Sequence, residues 1–216
     1  HHRPGVILLH YLAEDDELLD GMRRAHFRRV FLGIETPVEA SLKEAQKGQN
    51  LRRNLLDSVR KIQSYGMEVM AGFIVGFDND PDDIFERQIE FIRDSAIPLA
   101  MVGLLTALPD TQLWRRLDRE GRLLVESTGN NTDCSLNFVP KMDAARLIEG
   151  YKSIMRAIYS PGEYYQRALD CLERVVAGAP ESQRNRFSSD VVTLFRIVLA
   201  LGVRDRARGE FWRYLR

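Results

Sequence analysis

The stretch Phe73–Pro81, FIVGFDNDP, begins as an apolar run and ends in a glycine, three acidic or amide residues and a proline. Its apolar part predicts the end of a buried β-strand that spans Glu68–Gly76. A glycine at the end of a strand lets another molecule approach the backbone closely, because no Cβ keeps it away. We therefore predict that this end of the strand faces a bound cofactor.

Two other segments have the same character. Arg29–Glu35 (RVFLGIE) and approximately Leu99–Thr106 are continuous apolar runs, as expected for parallel strands covered on both faces. A helical pattern follows each strand, and a further predicted helix, Asp15–Ala25, precedes the first. This alternation predicts βαβ units, a parallel sheet and therefore an α/β fold. The carboxyl ends of all the strands then lie on one rim, where α/β proteins bind ligands.

Local signals predict where the helices begin and end. Thr36 with Glu39 three residues later forms a capping-box pattern at the start of the first crossover helix. Gly66 is expected to end the helix that includes Leu51. Asp80 is placed as the N-cap of the next helix, directly before Pro81.

The composition of the 216 residues is typical of a globular protein, with 44% hydrophobic and 29% charged residues. Lys and Arg (31) balance Asp and Glu (31), so the net charge gives no argument for binding nucleic acid. No apolar run approaches the roughly 20 residues of a transmembrane helix. Cys134 and Cys171 are far apart, and we interpret them as reduced thiols of a cytoplasmic protein. The basic stretch after Pro180 is interpreted as a solvated helical surface rather than an RNA site.

The sequence changes character near Gly129. An amide-rich loop is followed by a strongly amphipathic helix, Asp143–Tyr159, and by further helical patterns to the end. We therefore divide the chain into an atypical start (residues 1–13), an α/β part (14–128) and a helical C-terminal domain (129–216). Three strands do not close a barrel, and they leave an unpaired edge.

Four motifs in this order resemble one known family. They are FLGIETP (Phe31–Pro37), GFIVGFDND (Gly72–Asp80), NFVPKM (Asn137–Met142) and SPGEYYQRAL (Ser160–Leu169). Together they resemble the C-terminal half of cobalamin-binding radical S-adenosylmethionine proteins, in the hopanoid-methylase-like branch. The resemblance covers about residues 14–216. It implies an incomplete TIM barrel, S-adenosylmethionine, a [4Fe–4S] cluster held by a cysteine triplet, and in methylating members a cobalamin that relays the methyl group.

The resemblance also implies which residues meet the cofactor. Glu35 matches a polar position that approaches the ribose or methionine end of S-adenosylmethionine. Gly72, Ile74, Gly76 and Asp80 match a strand motif whose backbone lies against the adenine. Alternatives remain open, because Glu35 could pair with an arginine and the two glycines could merely allow close packing.

The chain departs from the family's pattern most clearly at the cluster-binding motif. It has no C-x-x-x-C-x-x-C motif, and two cysteines cannot supply the three thiolates of the cluster. The resemblance thus implies the S-adenosylmethionine-binding part of a methyltransferase-like protein, inactive alone and with no catalytic or metal-binding residue of its own. In the intact protein we expect a small-molecule or lipid-like substrate, and the N-terminal half could be encoded separately. The alternative is a non-catalytic α/β module that pairs its open edge with a partner.

Other polar residues of the expected rim are assigned structural roles. Asp78 and Asp110 are predicted to be solvated rim residues rather than catalysts. Asn130, Asn131 and Asn137 could either contact a substrate or stabilise turns, and the sequence favours neither reading.

Overall fold

The computed structural model describes residues 9–44, 55–124, 135–178 and 197–214. In chain order the elements are α1 (Leu9–Glu14), α2 (Asp16–Arg24), β1 (Arg29–Glu35), α3 (Glu39–Glu44), α4 (Leu55–Ser64), β2 (Glu68–Val75), α5 (Ile84–Asp94), β3 (Ala100–Leu104), α6 (Gln112–Arg119), α7 (Ala144–Ile158), α8 (Pro161–Gly178), a π-helical segment (Val198–Arg204) and α9 (Arg208–Tyr214).

The three strands form a parallel sheet in the order β1-β2-β3. Gly33 of β1 lies opposite Gly72 of β2, and Ile74 of β2 lies opposite Gly103 of β3. A helix separates each strand from the next, as parallel crossovers require. The predicted class, a partial parallel-barrel fragment with a helical C-terminal part, is confirmed.

One face of the sheet is buried and the other is open. The buried face packs against side chains of α2, α4, α5 and α7 in one hydrophobic core. Its strand residues are Val30, Leu32, Ile34, Val69, Ala71, Phe73, Val75, Ala100, Val102 and Leu104. On the opposite face, Phe31 is 53% and Met101 58% exposed. The prediction of strands covered on both faces is therefore wrong, because burial alternates along each strand with the two-residue period of the side chains.

Helix α7 belongs to the same core as the sheet. Its apolar stripe includes Leu147, Tyr151, Ile154 and Ile158, all of which join the strand residues in that core. The division of the chain after residue 128 stays a prediction, but the strands and α7 share one hydrophobic interior.

The predicted helix ends have mixed outcomes. Gly66 follows α4 with φ +83°, as predicted for a terminating glycine. The capping box is wrong, since α3 begins at Glu39 and the Thr36 hydroxyl accepts a hydrogen bond from the Val38 N–H at 3.3 Å. The N-cap assignment of Asp80 is also wrong, because α5 begins only at Ile84. Leu51 lies outside the described residues.

The C-terminal helices attach to the amino ends of the strands. Arg167 of α8 is 1% exposed, and its Nε donates to the Ile97 carbonyl at 3.2 Å. Tyr159, directly after α7, donates its hydroxyl to the Ala100 carbonyl at 2.8 Å. Among the helices that the structure describes, none combines the length and hydropathy of a membrane span.

Replacing Gly150 by alanine is expected to weaken the contact between α5 and α7. A Cβ at this position would overlap the Phe85 ring. We expect the free energy of unfolding to fall by about 1–3 kcal/mol, as for other overpacked cores, measured by urea denaturation. The matched control is Gly21→Ala in α2, where a Cβ meets no atom within 4 Å. That change should be neutral or stabilise by up to about 1 kcal/mol through helix propensity, and equal stability losses in the two variants would contradict the packing interpretation.

Candidate cofactor groove

The open face of the sheet forms a groove of about 350 Å³, which is within the range of about 300–1,000 Å³ typical of ligand sites. It runs across all three strands toward their carboxyl ends. Its lining includes Phe31, Gly33, Glu35, Gly72, Ile74, Met101, Gly103, Thr106 and Leu108. We call this surface the sheet groove.

Glycines keep the floor of the sheet groove low. Gly33 and Gly72 lie side by side on β1 and β2, and Gly103 lies on β3. A Cβ at Gly103 would meet no atom within 4 Å, and a Cβ at Gly72 would meet only the Phe31 ring, at 3.4 Å. Side chains would therefore fit here, and their absence leaves main-chain atoms accessible to a flat ligand.

Glu35 stands at the end of β1 in a strained turn. Its φ is +68°, in the left-handed region, and the Thr36 N–H donates to the Ile34 carbonyl at 2.9 Å. This two-residue hydrogen bond and the positive φ match the rare, strained form of the γ-turn. The pairing register with β2 also shifts between Gly33 and Glu35. Strain of this kind is concentrated at functional sites.

The structure brings together three of the five residues predicted to meet the cofactor. Glu35, Gly72 and Ile74 all line the sheet groove. Gly76 and Asp80 are not among its lining residues. A Cβ at Gly76 would instead come within 3.1 Å of the Leu147 side chain, on the buried face.

Asp80 fixes the loop that follows β2. One oxygen of its carboxylate accepts the N–H groups of Gly76 (2.8 Å) and Phe77 (3.0 Å). The other oxygen accepts the Ser41 hydroxyl of α3 at 2.6 Å. Gly76 has φ +107°, a conformation that side chains rarely adopt, so its N–H can turn toward the carboxylate. Asp80 thereby ties the end of β2 to the helix after β1.

Burial raises the pKa of the Asp80 carboxyl above its ordinary value of 3.8, and the negative charge of Glu44 raises this pKa further. The hydrogen bonds from Ser41, Gly76 and Phe77 lower the pKa, but only enough to offset part of the rise. The folded state therefore holds this proton more tightly than the unfolded chain does. The contribution of this protonation to the free energy of unfolding is fully present below pH 3.8 and is lost as the pH rises through the raised pKa.

Asp78 is not the solvated residue that the sequence predicts. Its side chain is 4% exposed, and Arg122 binds both carboxylate oxygens, at 2.7 and 2.8 Å. Arg116 donates to one of the same oxygens at 3.1 Å. Burial opposes ionisation, but these arginines outweigh it, and the pKa of Asp78 is lowered. The prediction is wrong because both arginines lie in the segment after β3, which the sequence around Asp78 does not reveal.

Of the remaining rim residues, Asn137 has a structural role. Asn137 is 5% exposed, its amide donates to the Ala107 carbonyl at 2.8 Å, and its carbonyl oxygen accepts the Ala107 N–H at 3.0 Å. Of the two roles left open for it, the structure shows turn stabilisation. Asp110 is exposed, as predicted, with φ +62°. Asn130 and Asn131 lie outside the described residues.

Sequence reasoning missed several lining residues of the sheet groove. Phe31, Met101 and Gly103 lie on the same face as Gly72, because their strand positions are in register with it. The missed signal was the two-residue period, which assigns alternate residues of each strand to the groove.

An iron–sulfur cluster does not fit this chain. The sequence has two cysteines, and the described residues contain no group of three His, Cys, Asp or Glu side chains that could hold a metal ion. Cys171 is buried in α8, which raises the pKa of its thiol to about 11. It is therefore protonated at neutral pH and is not a ready thiolate ligand.

Comparisons with known proteins agree with the fold and motifs. Residues 111–216 match the family described as domain of unknown function DUF4070. An uncharacterized methyltransferase of Synechocystis sp. is 39% identical over 207 residues, which cover 94% of this chain and 38% of the relative. The hopanoid C-2 methylase of Rhodopseudomonas palustris is 34% identical over 209 residues, which cover 94% of this chain and 39% of the relative. A bacteriochlorophyllide d C-12(1)-methyltransferase of Chlorobaculum tepidum is 24% identical over 137 residues, which cover 63% of this chain and 30% of the relative.

These matches support the resemblance of the chain to the cobalamin-binding radical S-adenosylmethionine proteins, and the relatives named above carry methyltransferase or methylase names. The match to the hopanoid C-2 methylase supports the hopanoid-methylase-like branch that the four motifs predict. It spans 38% and 39% of the length of the first two relatives.

Replacing Asp80 by alanine is expected to lower the free energy of unfolding by about 2–4 kcal/mol, because the buried N–H groups of Gly76 and Phe77 lose their acceptor. Asp80→Asn is the matched control, since its amide oxygen can accept both N–H groups and its NH₂ can donate to Ser41. It should cost less than about 1 kcal/mol.

Denaturation at several pH values completes this test. As the pH falls through the raised pKa, Asp80 becomes neutral, and the wild-type chain should gain stability relative to the Asn variant. Equal stability of the Ala and Asn variants would show that the two N–H groups do not depend on this carboxylate.

Proposed function

We propose that the sheet groove binds the adenosine part of S-adenosylmethionine, and that this chain provides that surface in a cobalamin-dependent methyltransferase-like protein. The observation that supports this most is the juxtaposition of Glu35, Gly72 and Ile74 along one open groove. They are three of the five residues that the family motifs assign to the cofactor, and they come from two separate strands.

The chemistry of the sheet groove suits a nucleoside. Main-chain N–H and C=O groups beside Gly72 and Gly103 can be reached by the edge of an adenine. Phe31 and Met101 offer exposed apolar surface for a flat ring. The γ-turn fixes the backbone of Glu35, and its carboxylate can accept hydrogen bonds from ribose hydroxyls. Asp80 positions this rim through the backbone and does not contact the ligand itself.

In the intact protein, S-adenosylmethionine would supply the methyl group, and the cluster and cobalamin would supply the redox and methyl-relay chemistry. The thiolates for that cluster would have to come from residues outside this chain. The present chain would bind and orient the nucleoside and exclude water from one side of it. We propose that it is catalytically inert alone.

The second candidate function is a non-catalytic interaction module. The exposure of Phe31 and Met101 on the groove face of the sheet favours it, because such apolar surface commonly marks an interface. The two functions differ in what the sheet groove binds, a nucleoside or another polypeptide.

We expect saturable binding of S-adenosylmethionine and of adenosine, but not of methionine, in saturation-transfer NMR with the chain. Gly103→Val should weaken binding at least about tenfold, or about 1.4 kcal/mol, because its side chain would enter the sheet groove. Glu35→Gln should weaken it about tenfold through the loss of a charge-assisted hydrogen bond. Gly21→Val, the same change on the surface of α2, is the control and should have no effect.

Two results would contradict the nucleoside proposal. One is the absence of saturable binding, and the other is unchanged binding in the Gly103→Val variant. If nucleosides do not bind and the chain instead self-associates through a contact that Phe31→Ser and Met101→Ser abolish, the interaction module is the better assignment. Size-exclusion chromatography with light scattering distinguishes these outcomes.

Anaerobic reconstitution of the chain with iron and sulfide is expected to give no stoichiometric cluster. Visible absorbance, the ratio of iron to protein and an assay for 5′-deoxyadenosine are the measurements. A Cys134→Ser, Cys171→Ala variant serves as the control and should retain the same low background of iron. A stoichiometric cluster together with the formation of 5′-deoxyadenosine would overturn the proposal that the chain is inert alone.

A further inference from the structure

The C-terminal segment that includes the π-helix and α9 exposes large apolar side chains. Leu199 is 38%, Val203 55% and Trp212 44% exposed. Leu199 and Val203 are four residues apart in the π-helical segment, so they lie on nearly the same side of it. We call these three side chains the C-terminal apolar patch.

The aromatic member of the patch is held in place. The Trp212 indole N–H donates to the Gly202 carbonyl at 2.9 Å, beside Val203. Its ring packs edge-to-face on Phe211, with the centroids 5.5 Å apart. Phe211 is 2% exposed and contacts Tyr165 of α8. The exposed ring of Trp212 is thus fixed to the rest of the molecule through a buried neighbour.

Four arginines lie close to the C-terminal apolar patch along the chain. Arg204, Arg206, Arg208 and Arg213 are all exposed. Within the part of the chain that the structure describes, the first three make no ion pair, and Arg213 lies 3.8 Å from Glu210. The acidic Asp205 is engaged locally, since its carboxylate accepts the Ala207 N–H at 2.6 Å. The surface around the apolar side chains is therefore positively charged.

We propose that this surface lies on an anionic lipid bilayer, with the C-terminal apolar patch in the headgroup region and the arginines on lipid phosphates. Exposed tryptophan and aliphatic side chains beside arginines are the pattern of interfacial membrane segments. Basic side chains near an anionic leaflet add electrostatic attraction. A nucleic acid would satisfy the arginines but would offer no apolar surface to Leu199 and Val203. The bilayer is the partner that matches both features.

The test is co-sedimentation of the full chain with vesicles of phosphatidylcholine alone and with added phosphatidylglycerol, at low and high salt. Binding is expected only to the anionic vesicles and should weaken as salt rises. The triple variant Arg204→Gln, Arg206→Gln, Arg208→Gln should reduce binding on the order of 100-fold, since each arginine contributes about fivefold. The double variant Leu199→Ser, Val203→Ser should also reduce vesicle binding. In a Trp114→Phe background, the fluorescence emission of Trp212 should shift to shorter wavelength when the chain binds vesicles.

Matched controls carry the same changes elsewhere on the surface. Arg24→Gln, Arg60→Gln, Arg115→Gln removes the same charge, and Leu18→Ser, Leu124→Ser removes exposed leucines. Both should bind nearly as the wild type does, and circular dichroism checks that every variant is folded. The proposal is overturned by the absence of vesicle binding, by equal binding to neutral vesicles, by equal losses in control and test variants, or by self-association through the patch without vesicle binding. None of these results depends on the sheet groove.

Discussion

The packing of helices against one face of the sheet is the interaction on which the rest of the molecule depends. Val69, Ala71, Phe73 and Val75 of β2 are all at most 1% exposed, and α4, α5 and α7 supply their neighbours. Each fully buried large apolar side chain contributes about 1.5–3 kcal/mol relative to exposure. Because side chains alternate along a strand, burying this set directs the other set outward. The opposite face can then carry glycines without weakening the core.

The acidic residues at the carboxyl ends of the strands lie in two different settings. Asp78 and Asp80 act within the protein, one by neutralising Arg116 and Arg122 and the other by accepting main-chain N–H groups. Both interactions are largely buried, so they leave the loop after β2 few alternative conformations. Glu35 differs, since it lines the sheet groove and its backbone is strained. A rigid neighbourhood is what allows such strain to persist.

Local patterns were enough to predict the strands, α2 and the terminating Gly66, because these depend on residues close in sequence. Two rim predictions failed for reasons that a local pattern does not contain. Asp80 looks like an N-cap, but a turn from Phe77 to Asp80 comes first and turns its carboxylate back toward β2. Asp78 looks solvated, but its partners lie 38 and 44 residues further along the chain. Glu35, Gly72 and Ile74, which the family resemblance assigns to the cofactor, lie on one surface, whereas Gly76 lies in the loop after β2 that Asp80 holds. Contact of the three residues with a cofactor stays a prediction.

Stability and the proposed ligand recognition are located on opposite faces of the same sheet. The groove face contributes glycines and exposed side chains, so a folded sheet does not require the groove to be filled. In the proposed function, the redox chemistry would depend on thiolates that this chain does not contain, while adenosine recognition would depend on main-chain atoms that it holds in place. The need for thiolates and the need for accessible main-chain atoms are physically independent. A chain can therefore keep the geometry of a nucleoside surface without the chemistry that would act on the nucleoside.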